Sequence, residues 1–92
     1  MSGERFNNVN LMPHTVYIVR CADKTLYTGC TNNLLKRLRE HNSGQAGAKY
    51  TSSRRPVKLV YQQKLKSLAA GRTREAEIKR MTREEKTKLI KQ

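Results

Sequence analysis

Apolar positions in this chain follow a strand period, then a helical one, then both again. Val16-Tyr-Ile-Val-Arg-Cys21 and Leu26-Tyr-Thr28 crowd β-branched and aromatic residues together, as strands do. Ala22-Asp-Lys24 between them has turn composition, so the pair predicts a β-hairpin. If Cys21 faces Thr25 across that loop, Tyr17 faces Gly29 and Val19 faces Tyr27. Both phenols then share one face, diagonal to each other and within reach. A slip of one residue would put them on opposite faces. Gly29 suits the first register, because a residue without a side chain leaves room beside Tyr17.

Helical spacing follows. Leu34, Leu35 and Leu38 predict an apolar stripe, with Thr31, Asn32 and Asn33 as N-cap candidates and Gly44 as terminator. Arg37 and His41 are four apart and share a face to one side of that stripe, at the margin of the packing surface. Residues 44–56 form a loop by composition and carry Lys49, Tyr50, Arg54 and Arg55. Val57 to Gln62 reads as a third strand, with Val57, Leu59 and Tyr61 on one face and Val60 on the other. Ser67 can cap a second helix running to about Met81, although Gly71 weakens its first turns. Thr82 and Glu85 make a capping-box pattern that opens a short last helix, anchored by Leu89 and Ile90. The fold class is a small α/β domain over residues 14–92, a three-stranded antiparallel sheet flanked by helices in the order β-β-α-β-α-α. Polar, Asn-rich residues 1–13 read as a disordered lead.

Charge narrows the class of partner. Ninety-two residues make one domain with a modest core, and a formal charge of +13 points to a polyanion, nucleic acid before membrane. Such binding is salt-sensitive and largely blind to base sequence. Cys21 and Cys30 are too few for a disulfide framework and lack zinc-site spacing, so they read as small packed residues. Neither a signal-peptide pattern nor an apolar run of membrane-spanning length is visible, and a cytoplasmic protein is expected.

Phenol, guanidinium and imidazole groups gathered in one basic domain are the parts needed to cut a phosphodiester. Taken singly, Arg37 would be one more surface arginine, Glu75 a helix residue paired with Lys79, and the tyrosines ordinary strand packing. Thr15-Val-Tyr17, Tyr27-Thr-Gly29, Arg37, His41 and the Arg74-Glu75-x-x-Ile78-Lys79 stretch together resemble the GIY-YIG nuclease family, from about Thr15 to Lys79. Tyr17 and Tyr27 look like its motif tyrosines, Gly29 like its motif glycine, and Arg37 and His41 keep its spacing. Thr15 and Thr28 stand where the motifs place glycine and isoleucine, positions that supply no chemistry.

That resemblance implies a divalent-metal-dependent endonuclease acting on DNA, with one Mg²⁺ or Mn²⁺ on Glu75. Arg37 would hold a phosphate oxygen, and Tyr17 would act as base with Tyr27 positioning it or its water. His41 would shuttle a proton or bind phosphate. A phenol has an ordinary pKa of about 10, so it needs cations such as Arg20 or Arg37, or the metal, to favour the phenolate. Gly29, Arg20, Lys49, Tyr50, Arg54 and Arg55 fall to the substrate side, with Tyr50 able to stack on a base. Arg72, Arg74, Lys79 and Arg80 would extend the basic track. Two other classes stay open: a nucleic-acid-binding module with this fold but without efficient cleavage, and a basic adaptor whose helical end docks a protein. No zinc-finger or helix-turn-helix pattern is present, so selectivity would come from DNA shape or a protein partner, with repair or recombination as one setting.

Overall fold

The computed structural model describes residues 12–43 and 50–92; residues 1–11 of the expected lead, Gly44 and Lys49 lie outside them. Strands β1 (His14–Arg20) and β2 (Leu26–Thr31) are followed by helix α1 (Leu34–Ser43), strand β3 (Lys58–Leu65) and helices α2 (Leu68–Lys79) and α3 (Arg83–Ile90). The sheet is antiparallel with β1 in the middle, in the order β2-β1-β3.

The hairpin has the register that places both phenols on one face: Tyr17 lies opposite Gly29 and Val19 opposite Tyr27. Its loop closes where Cys21 N–H donates to the Thr25 carbonyl and Lys24 N–H to the Cys21 carbonyl, both at 2.9 Å. Lys24 adopts φ 71°, the left-handed step that turns a three-residue loop back on itself. β1 begins at His14 and β2 continues to Thr31, further than residue type alone predicts, because cross-strand partners hold these positions.

One face of the sheet carries α1. Leu34 and Leu38 pack there with Tyr17, Val19, Cys21, Val57 and Leu59. The other face carries α2 and α3, whose Ile78 and Leu89 meet Val16 and Ile18. The expected three-leucine stripe is narrower than its composition suggests. Leu34 and Leu38 are one turn apart and face the sheet, whereas Leu35 is 70% exposed.

Strand β3 departs from simple alternation. Ile18 pairs with Tyr61 but Val19 pairs with Leu59, so Val60 is the extra residue of a β-bulge. Leu59 therefore stays on the α1 side while Tyr61 joins Val60 in the core under α2 and α3. This corrects the expectation that Val57, Leu59 and Tyr61 share a face. Val57 precedes the strand and is held by Asn42 at the end of α1. The Asn42 Oδ1 accepts Val57 N–H at 2.7 Å, and its Nδ2 donates to the Val57 carbonyl at 3.3 Å.

Helix α2 starts at its expected cap, where Ser67 Oγ accepts Ala70 N–H at 3.1 Å. Gly71 serves packing: a Cβ there would sit 2.9 Å from Cys30 Sγ and 3.2 Å from His14 Cβ. The glycine lets α2 close on the sheet, which outweighs its poor helix propensity. The helix ends at Lys79, two residues before the expected Met81, and Thr82 and Glu85 then form a reciprocal capping box for α3.

Candidate active site

Tyr17 rises from the central strand and lies across Gly29. A Cβ on residue 29 would come within 2.6 Å of Tyr17 Cζ and fall onto its hydroxyl. His41 on α1 meets that hydroxyl, with Nε2 2.8 Å from the Tyr17 oxygen. Its Nδ1 lies 2.8 Å from Thr51 Oγ1. Tyr17 and His41 are 1% exposed and Thr51 is fully buried, so His41 sits inside the packing surface and not at its margin. Tyr27 closes the imidazole from another side, edge-on with ring centroids 5.3 Å apart. Thr51 escaped sequence reasoning because it lies in a loop ten residues past His41, where no spacing rule points to it.

Arg37 is brought to the same phenol, toward which it donates. Its Nη1 is also 2.9 Å from Glu40 Oε1. Glu75 comes from α2, in the layer opposite α1, and its charge acts on both Tyr17 and Cys30. Its Oε2 is 3.0 Å from Lys79 Nζ, the one-turn ion pair that the spacing suggested. Arg20 does not join the group. It pairs with Leu26 and Lys58 on the sheet face away from Tyr17.

Burial is the largest influence on both titratable partners. It pushes the Tyr17 phenol from 10.0 up to about 12, and the Arg37 hydrogen bond does not offset it. Arg37 favours the phenolate, as expected of a nearby cation, but burial outweighs it. His41 is held below its ordinary 6.5, first by burial and then by the Arg37 charge, against the pull of Glu40. Acid sensitivity follows, since the unfolded chain binds a proton on this imidazole more readily than the folded one does. Stability from His41 is thus present above about pH 6.5 and lost as pH falls through the lower folded value. Urea midpoints measured from pH 7.5 to pH 5 should decline in the wild type, and the decline should flatten in His41→Gln. An equal slope in both would exclude His41 as its source.

The segment after residue 49 folds over the hairpin. Tyr50 stacks on Tyr27 with centroids 5.1 Å apart, and Arg54 Cζ lies 4.2 Å from the Tyr50 ring centroid. Arg54 also reaches Asp23 Oδ2 at 3.1 Å and the Tyr50 carbonyl at 2.7 Å. Tyr50 is thus already stacked within the protein while staying 40% exposed. Arg55 is exposed and donates to the carbonyls of Ser52, at 3.0 Å, and Asn42, at 3.4 Å. Of the other basic candidates, Arg74 is tied to Gln63 and Glu77, each at 3.0 Å, while Arg72 and Arg80 are exposed.

Among the described residues no group of three His, Cys, Asp or Glu side chains could cage a metal. A lone carboxylate nonetheless fits one Mg²⁺ or Mn²⁺, because such ions keep several waters and take further oxygens from substrate. Glu75 is the carboxylate whose charge reaches Tyr17, and Lys79 is the counter-charge that an ion would replace.

The site thus gathers a phenol, an imidazole and a guanidinium on one face, with the charge of a carboxylate from the other layer reaching the phenol. The chain belongs to the GIY-YIG family, whose catalytic-domain model matches residues 13–88. Its relatives include a UPF0213 protein of Syntrophus aciditrophicus (strain SB), 64% identical over 77 residues, 84% of this chain and 88% of the relative. A UPF0213 protein of Staphylococcus haemolyticus (strain JCSC1435) is 51% identical over 79 residues, 86% of this chain and 95% of its own. The solution NMR structure of a UPF0213 protein from Bacillus halodurans is similar at 39% identity and a TM-score of 0.57, covering 87% of this chain and 84% of that one. A protein from E. faecalis, also solved by NMR, matches at 37% identity and a TM-score of 0.61, covering 91% and 88%. No helix among the described residues is long and apolar enough to cross a membrane.

Proposed function

We propose that this protein is a divalent-metal-dependent endonuclease that hydrolyses phosphodiester bonds in DNA, working in the cytoplasm. The observation that carries this reading is the 2.8 Å contact between Tyr17 and His41, made where Arg37 and the Glu75 charge also converge. Arg37 grips a non-bridging phosphate oxygen, since its fixed charge and planar fork suit the negative charge gathering there. Tyr17 takes a proton from the attacking water while its own hydroxyl proton passes to His41 Nε2. The new bond to phosphorus forms as the bond to the leaving oxygen breaks, and that oxygen takes its proton from solvent. A phenol with a pKa of about 12 is protonated at neutral pH, so only transfer into His41 makes it a useful base. Burial and Arg37 keep His41 neutral before the transfer, so that its Nε2 is unoccupied when the proton arrives. Tyr27 holds the imidazole in place from its edge. A divalent ion on Glu75 would act as Lewis acid toward the phosphate oxygens.

The net charge of +13 supplies a sequence-blind grip on the backbone. Target choice then falls to DNA shape or a protein partner, which favours flapped or branched DNA and a role in repair or recombination. The closed position of Tyr17 supports a second reading, a nucleic-acid-binding module without efficient cleavage. Purified protein should be incubated with single-stranded, duplex, flapped and branched DNA and with RNA, in Mg²⁺, Mn²⁺ or EDTA. Cuts in DNA that EDTA abolishes are expected. Tight, salt-sensitive binding with no cut on any substrate would favour the binding module.

A further inference from the structure

We propose that Thr51 is the positioning residue of the Tyr17–His41 pair, its hydroxyl oxygen accepting the His41 Nδ1 proton so that the Nε2 lone pair faces Tyr17. The consequence for cleavage rests on the nuclease reading; the tautomer does not.

The tautomer follows from the donors and acceptors around it. Arg37 carries only donors and points one toward the Tyr17 oxygen, which therefore accepts. The Tyr17 hydroxyl, in a side chain that is 1% exposed, needs an acceptor for its own proton. His41 Nε2 stands 2.8 Å away and accepts it only if unprotonated. A neutral imidazole with a bare Nε2 carries its proton on Nδ1, and Nδ1 is 2.8 Å from Thr51 Oγ1. Burial and the Arg37 charge both oppose the doubly protonated ring.

Thr51 is itself held in register. Its carbonyl accepts Arg54 N–H at 2.9 Å, and Arg54 is fastened to Asp23 and lies over Tyr50, which stacks on Tyr27. The segment from Tyr50 to Arg54 thus ties the hairpin turn to the imidazole. Removing the hydroxyl would leave Nδ1–H buried without its acceptor, and the ring would turn to the Nε2–H form. That form cannot take the Tyr17 proton.

The test uses ¹⁵N NMR of the imidazole nitrogens in wild type, Thr51→Val and Thr51→Ser, with thermal midpoints to confirm folding. The chain has two histidines, so the two ring systems are readily assigned. The expected wild-type pattern is protonated Nδ1 and bare Nε2 at His41, weakened or reversed in the valine variant and restored by serine. Cleavage kcat should fall about 10²-fold in Thr51→Val with KM nearly unchanged, and recover in Thr51→Ser. A wild-type His41 protonated on Nε2 would overturn the assignment, as would a valine variant that keeps the Nδ1–H form. If the tautomers behave as stated but the wild type cuts nothing, the positioning role stands and the nuclease reading fails.

Discussion

Glu75→Ala is expected to lower metal-dependent cutting by on the order of 10³-fold while DNA binding stays within a few-fold of wild type. A loss of that size corresponds to about 4 kcal/mol of transition-state stabilisation, within the reach of a Lewis acid removed from a phosphoryl centre. Binding should persist because net positive charge would govern it, and losing one acid only raises that charge above +13. Folding should persist as well. Glu75 is 17% exposed and its partner Lys79 51% exposed, and ion pairs at such positions contribute roughly 0–1 kcal/mol. Single-turnover cleavage in Mg²⁺, binding at two salt concentrations and Mn²⁺ titration calorimetry separate the three effects. Undiminished cutting by the variant would remove Glu75 from the metal role.

Gly29→Ala should be nearly as damaging by a different route. The added Cβ would lie 2.6 Å from Tyr17 Cζ, far inside contact distance, and the phenol cannot retreat because His41 stands at its hydroxyl. Overpacking of this kind costs about 1–3 kcal/mol of stability. Cleavage should suffer more than stability, since a displacement of about 1 Å at a reacting group can lower rates about 10²-fold. Circular dichroism melts and single-turnover rates on the same preparation would reveal the difference. A variant that is less stable yet cleaves at the wild-type rate would show that Tyr17 need not hold this position.

Most of the architecture was legible because it rests on short-range chemistry. The turn at Ala22–Lys24, the Ser67 cap and the Thr82–Glu85 capping box each depend on residues within a few positions of one another, and each forms as expected. The face of β3 was not legible beyond Leu59. The bulge at Val60 arises from pairing with β1, and one extra residue inverts every later side chain. Likewise Leu35 fits a helical stripe by identity, yet only the position of the sheet beneath α1 decides which leucines are covered.

The candidate site divides in the same way. By itself, the sequence determined the hairpin register that sets Tyr17 over Gly29 and the one-turn spacing of Arg37 and His41, because strand and helix periods are local properties. Only the tertiary structure decided that His41 is buried against Tyr17, that Thr51 takes its other nitrogen, and that Tyr50 is already stacked. It also brought Glu75 from the opposite layer to act on the same phenol. Contacts across tens of residues depend on how three layers close on one another, and so do the burial that raises one pKa and lowers the other.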